Sequence, residues 1–145
     1  MKEQYLMPTQ EAGRGFIMKQ IKGPVVMLNL LRFRETADYS ASPELIPSQP
    51  IPGELAFQLY IEHTLPFLKE SGGEVLFMGR SDAFLIGPRD ERWDFVMLIK
   101  QSSVNSFLAF ESNEAYMKGI GHRTAAIEDS RLLPVVATDM KDLYM

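Results

Sequence analysis

The sequence predicts an α+β domain in which strand, helix, strand, strand, helix and strand follow one another behind an extra N-terminal helix. Three observations carry this. The run Val25 to Phe33 is almost continuously apolar at strand length, the mark of a strand covered on both faces. Phe57, Tyr60, Ile61, Thr64, Leu65 and Leu68 recur at helical spacing, with Gln58, Glu62 and Lys69 opposite. Two further apolar stretches are joined by Gly-Pro-Arg-Asp-Glu-Arg, a hairpin connection. That order is the split βαβ of the ferredoxin-like fold, with both helical layers on one face of the sheet.

The bulk properties agree with one globular domain spanning residues 1–145: 145 residues, 46% hydrophobic and 10% aromatic. A net charge of -4 argues against nucleic-acid or anionic-membrane partners, which want a basic face. Without cysteine there is no disulfide, thiolate nucleophile or Cys-ligated metal. The opening Met-Lys-Glu-Gln-Tyr-Leu-Met-Pro holds no apolar signal core, so a cytoplasmic protein is the expectation.

In chain order, Thr9 is placed to cap a short helix through Gln20, weakened by Gly13 and Gly15. The Gly-Arg-Gly within it lacks the third glycine and the preceding strand of a dinucleotide fingerprint. After the first strand, Glu35 to Gly53 is a loop holding Pro43, Pro47, Pro50 and Pro52. A lid over the C-terminal end of that strand and a plain surface excursion both fit it. The first helix runs Glu54 to Glu70, with Pro66 expected to kink it and Gly72-Gly73 to stop it. The hairpin strands are expected at Glu74 to Ile86 and Trp93 to Gln101, with Arg80 roughly opposite Ile99. The first and third strands are expected to run parallel, bringing Ser102 and Ser103 to the end that carries the loop. Ser102 or Ser103 caps a short helix, Asn113 caps a second over Glu114 to Ile127, and Arg131 to Ala137 is the last strand. Pro134 assigns that strand to a sheet edge.

Alternation places Val25, Met27 and Leu31 on one face and Val26, Leu28 and Leu30 on the other, repeated by Phe95, Met97 and Ile99 against Val96 and Leu98. One face has helices available; the other has nothing within the chain. A second copy is the commonest cover for such a surface, so a homodimer is expected.

Candidate site residues come from polar groups set in these apolar layers. Asn29 is the only polar side chain between Val25 and Leu31. Backbone or water satisfies it, or it orients a ligand oxygen. Tyr60 stands on the sheet-facing helical stripe, as a core residue or as a site residue. Arg80, late in its strand after Gly79, is an edge arginine or a carboxylate clamp. These three are expected to meet in one pocket for a small organic anion, because no acidic partner for Arg80 is evident. Trp93 packs at the sheet end or walls a ligand, and His63 and Arg123 are further ligand-binding candidates. Arg123 falls on the stripe of the last helix, where an ion pair, with Asp94 for example, is the structural account. His63 and His122 lack metal-ligand spacing, so no metal is expected and no cofactor is implied. No Ser-His-Asp or Cys-His constellation is present.

The run Gly23-Pro-Val-Val-Met-Leu-Asn-Leu-Leu-Arg-Phe, Tyr60 with Pro66, Gly72-Gly-Glu-Val-Leu-Phe-Met-Gly79-Arg80, Trp93-Asp94, and Asn113-Glu-Ala-Tyr116 leading to His122-Arg123 together resemble a known family. It is the bacterial domain-of-unknown-function family 1330 of the dimeric α/β-barrel superfamily. The likeness spans Gly23 to Leu133; the family's Tyr-Pro-Ser after the third strand is Lys100-Gln101-Ser102 here. It implies a homodimer whose two sheets face each other to close a barrel. Superfamily relatives include cofactor-independent monooxygenases, isomerases and ligand-binding modules, so a small organic acid or aromatic enol is the implied ligand class and turnover is left open.

Overall fold

A computed structural model describes residues 3–144. Its elements are α1 (Gln10–Met18), β1 (Val25–Phe33), α2 (Gly53–Glu70), β2 (Glu74–Arg80), β3 (Phe95–Gln101), α3 (Val104–Glu111), α4 (Glu114–Met117), α5 (Ile120–Ala126) and β4 (Ile127–Val135). The sheet order β2-β3-β1-β4, with every neighbouring pair antiparallel, is the ferredoxin-like α+β arrangement.

Local chemistry sets most boundaries. Thr9 caps α1 by accepting from Ala12 N–H, and Ser103 caps α3 by accepting from Ser106 N–H. The Asn113 side chain accepts from both Ala115 and Tyr116 N–H to start α4. α2 continues through Pro66, and Gly72, at φ 85°, turns the chain out of it into β2.

The core lies between one sheet face and the helices. Val25, Met27 and Leu31 of β1 and Met97 of β3 are buried there, and Leu31 and Met97 cluster with Phe57, Tyr60 and Leu68 of α2 and Ala125 and Ala126 of α5. β1 and β3 pair Leu28 with Leu98 and Leu30 with Val96, and β4 brings Leu133 beside Leu28. These residues, with Phe77 opposite Leu98, form an apolar second face that no helix of the described residues covers. Leu133 is 56% exposed and Phe77 54%, so the face is open within the single chain. No helix among the described residues is long and apolar enough to cross a membrane.

Several expectations are corrected. β1 and β3 are antiparallel, because in a split βαβ the third strand slots between two strands that run together. The Glu35 loop and Ser102 therefore lie at opposite ends of the sheet: Gln101 pairs with Val25, the start of β1. Arg80 faces Phe95, not Ile99. The hairpin strands are shorter than their apolar stretches. Phe84, Leu85 and Ile86 belong to the connection, which is tied at its base by an Ala83–Arg92 bridge and by the Ser81 N–H donating to Asp94 O. The stretch from Glu114 splits at Gly119, where a Cβ would enter the His63 ring, and β4 begins at Ile127, before the expected Arg131.

The Glu35 to Gly53 loop is fastened along its length. Ala37 N–H donates to Ile51 O (2.9 Å) and Asp38 N–H to Ala125 O (2.9 Å). Tyr39, 5% exposed, meets His122 Nδ1 through its hydroxyl at 2.7 Å. Burial, and secondarily the neighbouring His63, hold the His122 pKa below its usual value, so the ring stays neutral in this latch. The loop is a packed wall at the C-terminal end of β1.

Candidate functional site

Asn29, Tyr60 and Arg80 do not converge. Asn29 faces the helical side in mid-strand, and its Nδ2 donates to Met27 O at 3.2 Å, closing the amide on its own strand. The Tyr60 hydroxyl meets that of Tyr116 at 2.8 Å inside the core, with the two residues 8% and 2% exposed. Burial pushes both phenols above their ordinary pKa, so neither is a base near neutrality. Arg80 has the acidic partner that the sequence did not reveal. Its Nε and Nη2 both donate to Glu54 Oε1, at 3.0 and 2.6 Å, across a solvent-exposed rim.

The other candidates are structural in their contacts. His63 Nε2 lies 2.9 Å from Ala115 O and 3.1 Å from Tyr116 O, tying α2 to α4. Arg123 donates through Nη1 to Leu6 O at 3.0 Å, and no bond joins it to Asp94. Asp94 instead accepts from Phe33 N–H at 2.8 Å and faces Arg92 at 3.5 Å. Trp93, 2% exposed, donates its indole N–H to Glu91 and packs under two guanidinium groups. Arg32 stands 5.5 Å and Arg131 4.9 Å from the ring centroid, and Arg131 is also 4.8 Å from Tyr5.

Arg131 is held by Asp129, whose side chain is 3% exposed and accepts at 2.8 Å. Burial pushes the Asp129 carboxyl up. The Tyr5 N–H, the Arg131 guanidinium and the Ser130 N–H outweigh it and keep the pKa below the usual carboxylate value. By strand alternation Arg32, Asp129 and Arg131 share the open face, so this cluster finishes one end of it.

A cleft at one end of the sheet was not expected from the sequence. It is a cleft of about 540 Å³ lined by Phe33, Arg34, Glu35, Pro52, Glu54, Arg80, Ser81, Arg92 and Asp94. Its volume is in the range of small-molecule sites. Three elements meet there. β1 runs out into Arg34 and Glu35, β2 ends in Arg80, and the segment leading into β3 brings Arg92 and Asp94. The N-terminus of α2 adds Glu54 and a partial positive charge. Gly53 lets α2 approach this closely: its N–H donates to Arg34 O at 3.1 Å, and a Cβ would overlap that carbonyl oxygen. Arg34 Nε is buried without a hydrogen-bond partner. The signal in the sequence was the charge massed at strand ends, in Arg32-Phe-Arg34-Glu35 and Arg89-Asp-Glu-Arg-Trp-Asp94. Antiparallel pairing of β1 and β3 turns those runs into one site. Among the described residues no cluster of His, Asp or Glu could hold a metal.

No family model matches the chain, and no curated protein does. Among solved structures, RPA0582, a protein of unknown function from Rhodopseudomonas palustris, is 32% identical over 94% of this chain and 99% of its own, with a TM-score of 0.83. Its methylated form gives a TM-score of 0.84 at 32% identity, over 94% of this chain and 97% of that one. A dimeric ferredoxin-like protein of unknown function from Bacteroides fragilis NCTC 9343 aligns at 8% identity over 79% of this chain and 96% of its own. Its TM-score of 0.49 is too low to carry an inference.

Proposed function

The chain belongs to the family of the Rhodopseudomonas palustris protein RPA0582, and within it we propose a homodimer that binds a small organic acid in the cleft at the end of its sheet. The observation that carries the ligand reading is a cleft of about 540 Å³ on which three arginines, Arg34, Arg80 and Arg92, converge beside the N-terminus of α2. A carboxylate is the group that planar guanidinium donors bind most strongly. Arg80 stands at the rim with its side chain 79% exposed. Its pair with Glu54 is worth little in water, so it is free to turn to an incoming carboxylate.

The homodimer rests on the open apolar sheet face, and face-to-face packing of two such sheets would make the chain a dimeric α/β barrel of family 1330. Leu28→Asp, in the middle of that face and outside the helical core, should convert the dimer to a folded monomer in sedimentation. A wild-type monomer at micromolar concentration refutes it.

Binding without turnover is better supported than the monooxygenase or isomerase chemistry that the resemblance implies. The cleft offers cations and carboxylates, while Tyr60, one of the candidate site residues, is closed into the core against Tyr116. Titration with propionate, followed by the amide and arginine Nε–H resonances, tests the cleft. Shifts should gather at Arg34, Arg80 and Glu54. Arg80→Gln should weaken them about tenfold with the melting temperature within a few degrees, the loss of one charge-assisted contact. Shifts scattered over the surface, or none at tens of millimolar, refute the ligand reading.

A further inference from the structure

The connection between β2 and β3 carries the most exposed large apolar side chains among the described residues. Leu85 is 100% exposed and Ile86 92%, with Phe84 at 41%. They stand on a built stem, not a slack loop. Beyond β2 and β3 the pairing continues through Ser81 N–H to Asp94 O and Trp93 N–H to Asp82 O, both at 3.0 Å, and through the Ala83–Arg92 bridge. Phe84 folds back over Gly87, where a Cβ would come within 2.8 Å of its ring, and Leu85 and Ile86 are left at the tip. The root of the stem is fixed against the open sheet face. Trp93 is buried there against the guanidinium groups of Arg32 and Arg131, which both project from that face.

The open face alone is small for a dimer. Its four strands, at about 4.8 Å spacing and about 3.3 Å per residue, cover on the order of 400 Å². A specific interface of standard size takes about 800 Å² from each partner. A second apolar element has to supply the difference, and this tip is the one whose root already stands on that face. Its reach is sufficient: the stem from Ser81 to Ala83 carries the tip about 10 Å past β2, and packed sheets lie about 10 Å apart. Resting on the homodimer reading above, we propose that the connection is a dimer arm. Its Leu85 and Ile86 seat on the second copy, and each protomer clasps the other across the two-fold axis. The flanking charge disfavours a lipid surface as the occupant. Asp82, Asp90 and Glu91 outnumber Arg89 and Arg92 in a chain of net charge -4, whereas a membrane-seeking tip wants a basic collar.

The test is sedimentation of the full chain over a concentration series, beside the double variant Leu85→Ser with Ile86→Ser. Both side chains are exposed in the protomer, so the variant should keep the wild-type circular dichroism spectrum. Its dimer dissociation constant should rise about a hundredfold, the effect of returning two buried aliphatic side chains to water. An unchanged constant overturns the arm and leaves the homodimer standing; a monomeric wild type refutes both. A second measurement needs no dissociation constant. The chain has no cysteine, so Leu85→Cys carries its only thiol. That thiol should react with a maleimide at least tenfold more slowly in the dimer than after Leu28→Asp has separated the protomers. Equal rates overturn the arm. Wild-type binding to phosphatidylcholine vesicles that the double variant loses, with its dimer unchanged, assigns the tip to lipid and overturns the second copy.

Discussion

Replacing the core tyrosines separates a structural pair from a catalytic one. Tyr60 and Tyr116 share one hydrogen bond at 2.8 Å, with rings edge-on at 6.2 Å, and are 8% and 2% exposed. Tyr60→Phe keeps the ring packing and leaves the Tyr116 hydroxyl without its partner in an apolar layer. The cost is the penalty of a stranded buried hydroxyl, about 2 kcal/mol, and Tyr116→Phe should cost about the same. In a domain of this size that is a loss of roughly 4–8 °C in melting temperature. The double variant strands nothing, so it should cost no more than either single change, and the cycle should show strong coupling. Alkaline pH adds a second readout. Burial raises both phenol pKa values above 10.0, so their contribution is complete below pH 10 and is lost as pH climbs toward the folded-state values. Wild type should therefore lose stability above pH 10 faster than the double variant. The assay is urea unfolding at one fixed protein concentration, since dimerisation would otherwise enter the result. Additive single costs, or a neutral Tyr60→Phe, would refute the pairing.

Gly53→Ala should destabilise by about 3 kcal/mol, near the top of overpacking costs. Its Cβ meets backbone that cannot swing aside, including Ala126 O at 2.7 Å and Arg34 N at 2.9 Å. Calorimetry finding an unchanged melting temperature would show that α2 does not need its close seat on β1. Asp129→Asn should cost about 2 kcal/mol at neutral pH, because Arg32 and the partly exposed Arg131 lose their shared carboxylate beside Trp93, Arg131 keeping its bond to Ser130 O. The depressed Asp129 pKa means that its stabilisation is present above the ordinary carboxylate range and lost as pH falls through the folded value. The variant's stability should accordingly be flatter than wild type below about pH 4, and parallel acid-unfolding curves would contradict this.

The fold was legible where periodicity and punctuation acted together. Val25 to Phe33 is bounded by Gly23-Pro24 and by charge, and its limits match β1; α2 is likewise fixed by its apolar stripe and by Gly72. Legibility failed where hydrophobicity outran pairing. Phe84, Leu85 and Ile86 read as strand, yet Leu85 is 100% exposed and Ile86 92%, because β2 runs out of partner at Phe95. The break at Gly119 was hidden for a related reason. A helical apolar pattern continues across it, and only the tertiary contact with His63 requires a residue with no Cβ.

The site was misread through a single topological step. With β1 and β3 taken as parallel, the charges around Arg34 and those around Asp94 fall at opposite ends of the sheet. Pairing Leu31 with Phe95 brings them within one cleft, and Arg80, opposite Phe95, joins them. Asn29 stays in the middle of the sheet and Tyr60 in the helical core, both as expected, while Arg80 lies at the exposed rim. Polar residues inside apolar runs drew attention because burying them is costly. Two of them meet that cost within the chain, through Met27 O and the Tyr116 hydroxyl. Charge massed at strand ends is the better marker here: Arg34 and Glu35 follow β1, Arg92 and Asp94 precede β3, and antiparallel pairing gathers them into one cleft.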